Sequence, residues 1–153
     1  LWDQWSHIDQ ERFPTDKVKT DGELAIDAAL KLGAREIILL GAFGGQFDQV
    51  LGHAALLHVI AASGASCFAT SGTEEAWPLT TTLSLWQIPS GTRVSIVGLT
   101  DLKALTILGV RWPLQKQDVA FGSTLTVSNE VKGDVSISLE QGRAMVMLYP
   151  ELR

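Results

Sequence analysis

Glu36-Ile37-Ile38-Leu39-Leu40-Gly41-Ala42-Phe43-Gly44-Gly45-Gln46-Phe47-Asp48-Gln49 is the stretch on which the fold turns. Its first five residues form a short apolar run of the kind buried in a parallel sheet. The glycines from Gly41 to Gly45 then make a tight turn. From Asp48 to Ser63, apolar residues recur at Val50, Leu51, Ala54, Leu57 and Ala61, which is helical spacing, and Gly64 ends the run. Upstream, Thr20-Asp21-Gly22-Glu23 reads as a capping box, with the Thr20 hydroxyl for the Glu23 N–H and the glutamate reaching back. Leu24, Ala25, Ala28, Ala29 and Leu32 continue it as an apolar stripe, and Gly33 is a natural stop. Downstream, Ala65 to Thr70 reads as a second buried strand. The predicted order is helix, strand, loop, helix, strand, which is α/β wiring.

Near residue 72 the period drops to two. Leu83, Leu85 and Arg93 to Val97 suggest strands, and Val135 to Glu140 alternates strictly. Lys132-Gly133-Asp134 and Gln141-Gly142-Arg143 are turn signals between such runs. This half carries no long helical stripe and is expected to be an antiparallel β domain, a sandwich or partial barrel. The expected domains are residues 1–72 and 73–153, joined by a linker from Thr73 to Pro78.

Composition narrows the function classes. The chain has 153 residues, 46% hydrophobic and 19% charged, so it buries a core rather than remaining disordered. Twelve Lys and Arg against seventeen Asp and Glu leave a net charge of −5, which argues against nucleic acid as a partner. No apolar stretch approaches the roughly 20 residues of a membrane-spanning helix, so no membrane partner is expected. Cys67 is the only cysteine, which excludes an intrachain disulfide and a cysteine-based zinc site. Leu1-Trp2-Asp3-Gln4-Trp5 lacks the basic-then-apolar pattern of a secretory signal, and the expected setting is cytoplasmic.

Three places offer chemistry. Pro14 to Asp21 puts Asp16 and Asp21, with Lys17 and Lys19, at a helix start. Free N–H groups there suit phosphate, and the carboxylates suit Mg²⁺, which takes a few oxygen ligands plus substrate phosphates. Plain capping by Thr20 and Asp21 beside solvated lysines explains the same residues. The glycine turn, with Gly44, Gly45 and Gln46, brings backbone N–H groups toward an anion at a strand's carboxyl end. It matches neither the dinucleotide nor the Walker glycine pattern. Asp48 beside it is either an N-cap or a ligand. The third place is Gly109-Val110-Arg111-Trp112-Pro113-Leu114 with Ala120-Phe121-Gly122 and Ser128-Asn129-Glu130. Trp112 is either core filler or a stacking face for a cationic ring. His53 and His58 lie five apart on one helix, off the two-histidine face of a metal helix, and read as structural, as Cys67 does.

These blocks, in this order, resemble thiamine pyrophosphokinase (thiamine diphosphokinase) from about Phe13 to about Tyr149. The resemblance implies a Rossmann-like α/β nucleotide-binding domain, here N-terminally incomplete, followed by an antiparallel β-sandwich thiamine-binding domain. It implies transfer of pyrophosphate from ATP to the thiamine hydroxyl with Mg²⁺, giving thiamine diphosphate and AMP, in a homodimer that binds thiamine between subunits. By the same resemblance Asp21 and Asp48 are catalytic, and Asp21 and Asp16 hold the metal. Thr20, Gly44, Gly45 and Gln46 bind the nucleotide. Trp112, Ser128, Asn129 and Asp48 bind thiamine.

Three departures accompany it. Val18 stands where the family carries an aspartate, and Gln46 where it carries an arginine. The family's Gly-Asp-x-Asp-Ser metal turn has no counterpart and is expected upstream of Leu1. These departures motivate an alternative, a non-catalytic thiamine- or nucleotide-binding module on the same scaffold.

Overall fold

A computed structural model describes residue 7 and residues 18–150. Helix α1 (Asp21–Lys31) begins where its cap predicts, the Thr20 hydroxyl accepting the Glu23 N–H. The Glu23 carboxylate pairs with Lys19 at 3.2 Å. Strand β1 (Glu36–Leu40), helix α2 (Phe47–Ala62) and strand β2 (Ser66–Thr70) follow in the expected order. β1 and β2 pair in parallel, joined through α2. Seven further strands complete the described chain: β3 (Glu75–Leu79), β4 (Thr82–Leu85), β5 (Arg93–Gly98), β6 (Leu102–Val110), β7 (Leu114–Val119), β8 (Asn129–Ser138) and β9 (Ala144–Tyr149).

The nine strands run in the order β1-β2-β3-β9-β5-β8-β6-β7, with β4 paired to β8 beside this path. β3 pairs antiparallel with β2 on one side and with β9 on the other. The stretch read as a linker therefore enters the sheet as a strand. Its pairing partner β9 lies far along the chain, so no local signal announces it. Phe68 on β2 and Trp77 on β3 stack with ring centroids 4.3 Å apart, a cross-strand aromatic pair that holds this junction.

Two cores lie on opposite faces of the central strands. On one face α1 and α2 cover the sheet, with Ile26, Leu57 and Ile60 packed against Cys67, Ala69, Ala76 and Met145. On the other, β4, β6, β7 and β8 fold over β3, β5 and β9, and Leu85, Leu105, Ile107 and Ile137 meet Leu79, Ile96, Val146 and Leu148. β9 serves both cores because successive side chains alternate faces, Met145 toward the helices and Val146 toward the strands.

Two other local expectations are corrected. Lys132-Gly133-Asp134 is not a turn; it lies inside β8. Here β8 changes its partner on one edge, from β5 at Asn129 and Glu130 to β4 at Val135 to Ser138. A register shift in β6 between Leu108 and Val110 accommodates the bend. Gly109 at that shift has φ +76, and a Cβ there would lie 2.0 Å from the Asp134 carbonyl oxygen. The second correction concerns β1, which is half-buried rather than buried on both faces. Ile37 and Leu39 face the helices, while Ile38 and Leu40 are exposed on the opposite face, to which the strand core does not extend among the described residues.

Candidate functional site

The starts of α1 and α2 converge on one cavity of about 590 Å³, lined by Thr20, Asp21, Gly22, Glu23, Asp48, Gln49, Gly52, His53 and Leu56. Asp21 opens α1 directly after its cap, so its carboxylate sits at the positive end of that helix. Gly44 and Gly45, at φ +93 and +79, turn the chain from β1 into α2 in a conformation other residues rarely adopt. Gln46 takes the N-cap position of α2 with no side-chain hydrogen bond. Asp48 is therefore not the cap; it lies in the first turn, where its Oδ1 accepts the Gln49 N–H at 2.8 Å. His53, one turn beyond Gln49, approaches the Ala42 carbonyl with Nδ1 at 3.1 Å and ties the glycine turn to the helix.

Of the residues singled out from the sequence, Thr20, Asp21 and Asp48 meet in this cavity. Gly44, Gly45 and Gln46 lead the chain into α2 and are not among the lining residues. Asp16 lies outside the described residues. Glu23, Gln49, Gly52 and His53 were not anticipated. Helical spacing from Gln49 through Gly52 and His53 to Leu56 marks that face in retrospect. Among the described residues no cluster of three or more His, Cys, Asp or Glu is arranged to hold a metal ion. The oxygen donors present, Asp21, Glu23 and Asp48, match the chemistry of Mg²⁺, which shares few carboxylates with substrate phosphates.

A second constellation sits on the β half, and none of its residues lines that cavity. Trp112 is 56% exposed, so it is a surface face rather than core filler. Its main chain is held by Asn129, whose Oδ1 accepts the Trp112 N–H at 3.1 Å and whose Nδ2 donates to the Trp112 carbonyl at 2.8 Å. Ser128 adopts φ +63, and its N–H donates to Ser95 Oγ at 2.9 Å, which fixes the turn into β8. Trp112, Ser128 and Asn129 thus come together, apart from Asp48. The Arg111 guanidinium lies 4.8 Å from the centre of the Trp112 ring and pairs with Glu130 at 3.2 Å. Lys132 pairs with the other oxygen of Glu130. Hydrogen bonds from Lys132 and Arg111 hold the Glu130 carboxyl below its usual range.

His58 and Cys67 belong to neither constellation. Cys67 Sγ donates to the Leu57 carbonyl, and burial pushes its thiol up to about 11, which leaves it inert at neutral pH. His58 is 7% exposed, and neither of its ring nitrogens meets a partner in hydrogen-bond geometry.

Solved structures share this fold. Thiamine pyrophosphokinase from Bacillus subtilis matches with a TM-score of 0.82 at 24% identity, over 89% of this chain and 65% of its own. Thiamin pyrophosphokinase from Geobacillus thermodenitrificans matches with a TM-score of 0.78 at 28% identity, over 91% of this chain and 65% of its own. A thiamin pyrophosphokinase family protein from Enterococcus faecalis gives 0.78 at 20% identity, over 92% and 68%. The chain thus spans 65% of the length of each of the first two structures. No curated protein matches its sequence significantly. The family model for the thiamin pyrophosphokinase catalytic domain matches residues 3–69, and that for the vitamin B1 binding domain matches residues 80–143. With both domains matched in order along one chain, this protein belongs to the thiamin pyrophosphokinase family.

Proposed function

We propose that the chain acts as a thiamine diphosphokinase, moving pyrophosphate from ATP to the thiamine hydroxyl and releasing AMP. The observation that carries this reading is the convergence of Asp21 and Asp48, from two helix starts, on one cavity. ATP phosphates would meet the N–H groups of the two first turns, beside Thr20 and the glycine turn at Gly44, Gly45 and Gln46. Asp21 and Asp16 would hold Mg²⁺, which supplies neutralisation of phosphate charge when bound. Asp48 would orient the thiamine hydroxyl and accept its proton as the oxygen attacks the β-phosphorus. Trp112 offers the thiazolium a flat, electron-rich face, and Ser128 and Asn129 form its surroundings.

The division into a nucleotide half over residues 1–72 and a thiamine half over residues 73–153 belongs to the same proposal, as does a homodimer. A dimer is supported by the absence of Trp112, Ser128 and Asn129 from the lining of the Asp21–Asp48 cavity and by the exposed apolar Phe121 and Leu125. A partner subunit would then bring its own Trp112 surface to the cavity. A cytoplasmic setting accords with ATP as co-substrate. No described helix is long and apolar enough to cross a membrane.

AMP formation from thiamine and Mg-ATP tests the reading. The wild-type chain should produce AMP only with both substrates, and Asp21→Asn or Asp48→Asn should lower the rate about a hundredfold or more. Thiamine binding in calorimetry with no AMP formed would replace this with the second reading, a binding module. Gln46 favours that alternative, because it brings no charge to the phosphate approach and its side chain forms no cap bond.

A further inference from the structure

We propose that Glu130 is a positioning residue that fixes the charge beside Trp112 and leaves the indole one free face for a cationic ring; this rests on the thiamine reading above. Arg111 lies over one face of Trp112, its guanidinium carbon 4.8 Å from the ring centre. A guanidinium there would repel a thiazolium arriving on the opposite face unless its charge were balanced. Glu130 offsets it through a 3.2 Å ion pair, although Lys132 shares the same carboxylate, so without Glu130 two cations would stand uncompensated beside the ring. The arrangement is braced by the main chain as well, since the Arg111 N–H donates to the Glu130 carbonyl at 2.8 Å.

Asn129 completes the brace. Its Oδ1 accepts both the Trp112 N–H at 3.1 Å and the Glu130 N–H at 2.9 Å, and its Nδ2 donates to the Trp112 carbonyl at 2.8 Å. Both acceptor sites of the amide oxygen are used, and one amide hydrogen is left for anything else. Asn129 is also buried. Its role is therefore to lock Trp112 and Glu130 to each other, rather than to serve as a principal thiamine contact.

The test is a double-mutant cycle on the full chain. It is read by calorimetry with thiamine and with an uncharged analogue in which a neutral aromatic ring replaces the thiazolium. Glu130→Gln should weaken thiamine binding about tenfold and leave the neutral analogue within about twofold. Arg111→Gln alone should change thiamine affinity by less than about threefold, and the double variant should recover most of the loss. A double variant as weak as Glu130→Gln would overturn the proposal, because Glu130 would then act through its own charge alone. Binding more than about threefold tighter in Arg111→Gln would also overturn it, because Arg111 would then occupy the ligand's face. The Trp112 indole N–H resonance, assigned through Trp112→Phe, separates this proposal from the thiamine reading. If wild type binds no thiamine but this resonance shifts in ligand-free Glu130→Gln, the thiamine reading fails and the brace stands. An unmoved resonance overturns the brace itself.

Discussion

His58 follows its apolar helical context into the interior at the expense of its own polar groups. It sits in a helical apolar pattern, where a structural role was expected, and its imidazole is buried with neither nitrogen bonded. Burial lowers its pKa, and the Arg143 charge lowers it further. The unfolded chain, near the ordinary value of about 6.5, binds the proton more readily than the folded one. The stabilisation is thus fully present above about pH 6.5 and is lost as pH falls through the lower folded value. Melting temperature should fall as pH drops from 7 toward 5, and His58→Leu should flatten that part of the profile; parallel profiles for the two proteins would contradict this. At the same scale, Thr20 was legible because its cap bond spans three residues. Asp48 was legible as important but open in role, since only the position of Gln46 decides which residue caps α2. The Arg111–Glu130 pair was hidden, because its partners lie nineteen residues apart in sequence.

Elements were legible in proportion to how local their causes are. α1, α2, β1 and β2 follow from caps, periodicity and glycine stops within each segment. β3 does not, because Pro78 and the polar run before it read locally as a connection, while β9 supplies the pairing. Gly133 likewise reads as a turn until β6 is set beside it. The bend in β8 depends on close approach at Gly109, so Gly109→Ala combines a clash with the Asp134 carbonyl and a left-handed backbone. That substitution should cost at least about 2 kcal/mol in urea unfolding. Gly133→Ala, which meets nothing within 4 Å, should cost much less. Equal costs would mean that the bend does not depend on the Gly109 contact.

For the whole molecule, the decisive element is β9. Alternation along it sends Met145 to the helical core and Val146 and Leu148 to the strand core, so the two cores share a wall. Leu148→Ala should cost about 2–5 kcal/mol. It should lower the thermal midpoint of the helical circular dichroism signal together with that of tryptophan fluorescence. Separate midpoints would show that the halves unfold independently. The sequence legibly divided into an α/β part and a β part, but periodicity carries no information about strands from the two parts joining in one sheet.

That shared wall also sets an order of events during synthesis. β9 is the last strand described, yet it lies between β3 and β5, in the middle of the sheet. A nascent chain emerging from the ribosome can form α1 and α2 early but leaves both cores open along one side until Ala144 to Tyr149 appear. Folding of the described sheet then waits for β9 to emerge and depends on distant contacts, which are slow to form. The apolar faces of β3 and β5 must wait exposed in the interval, so the growing chain is the form of this protein most in need of a chaperone.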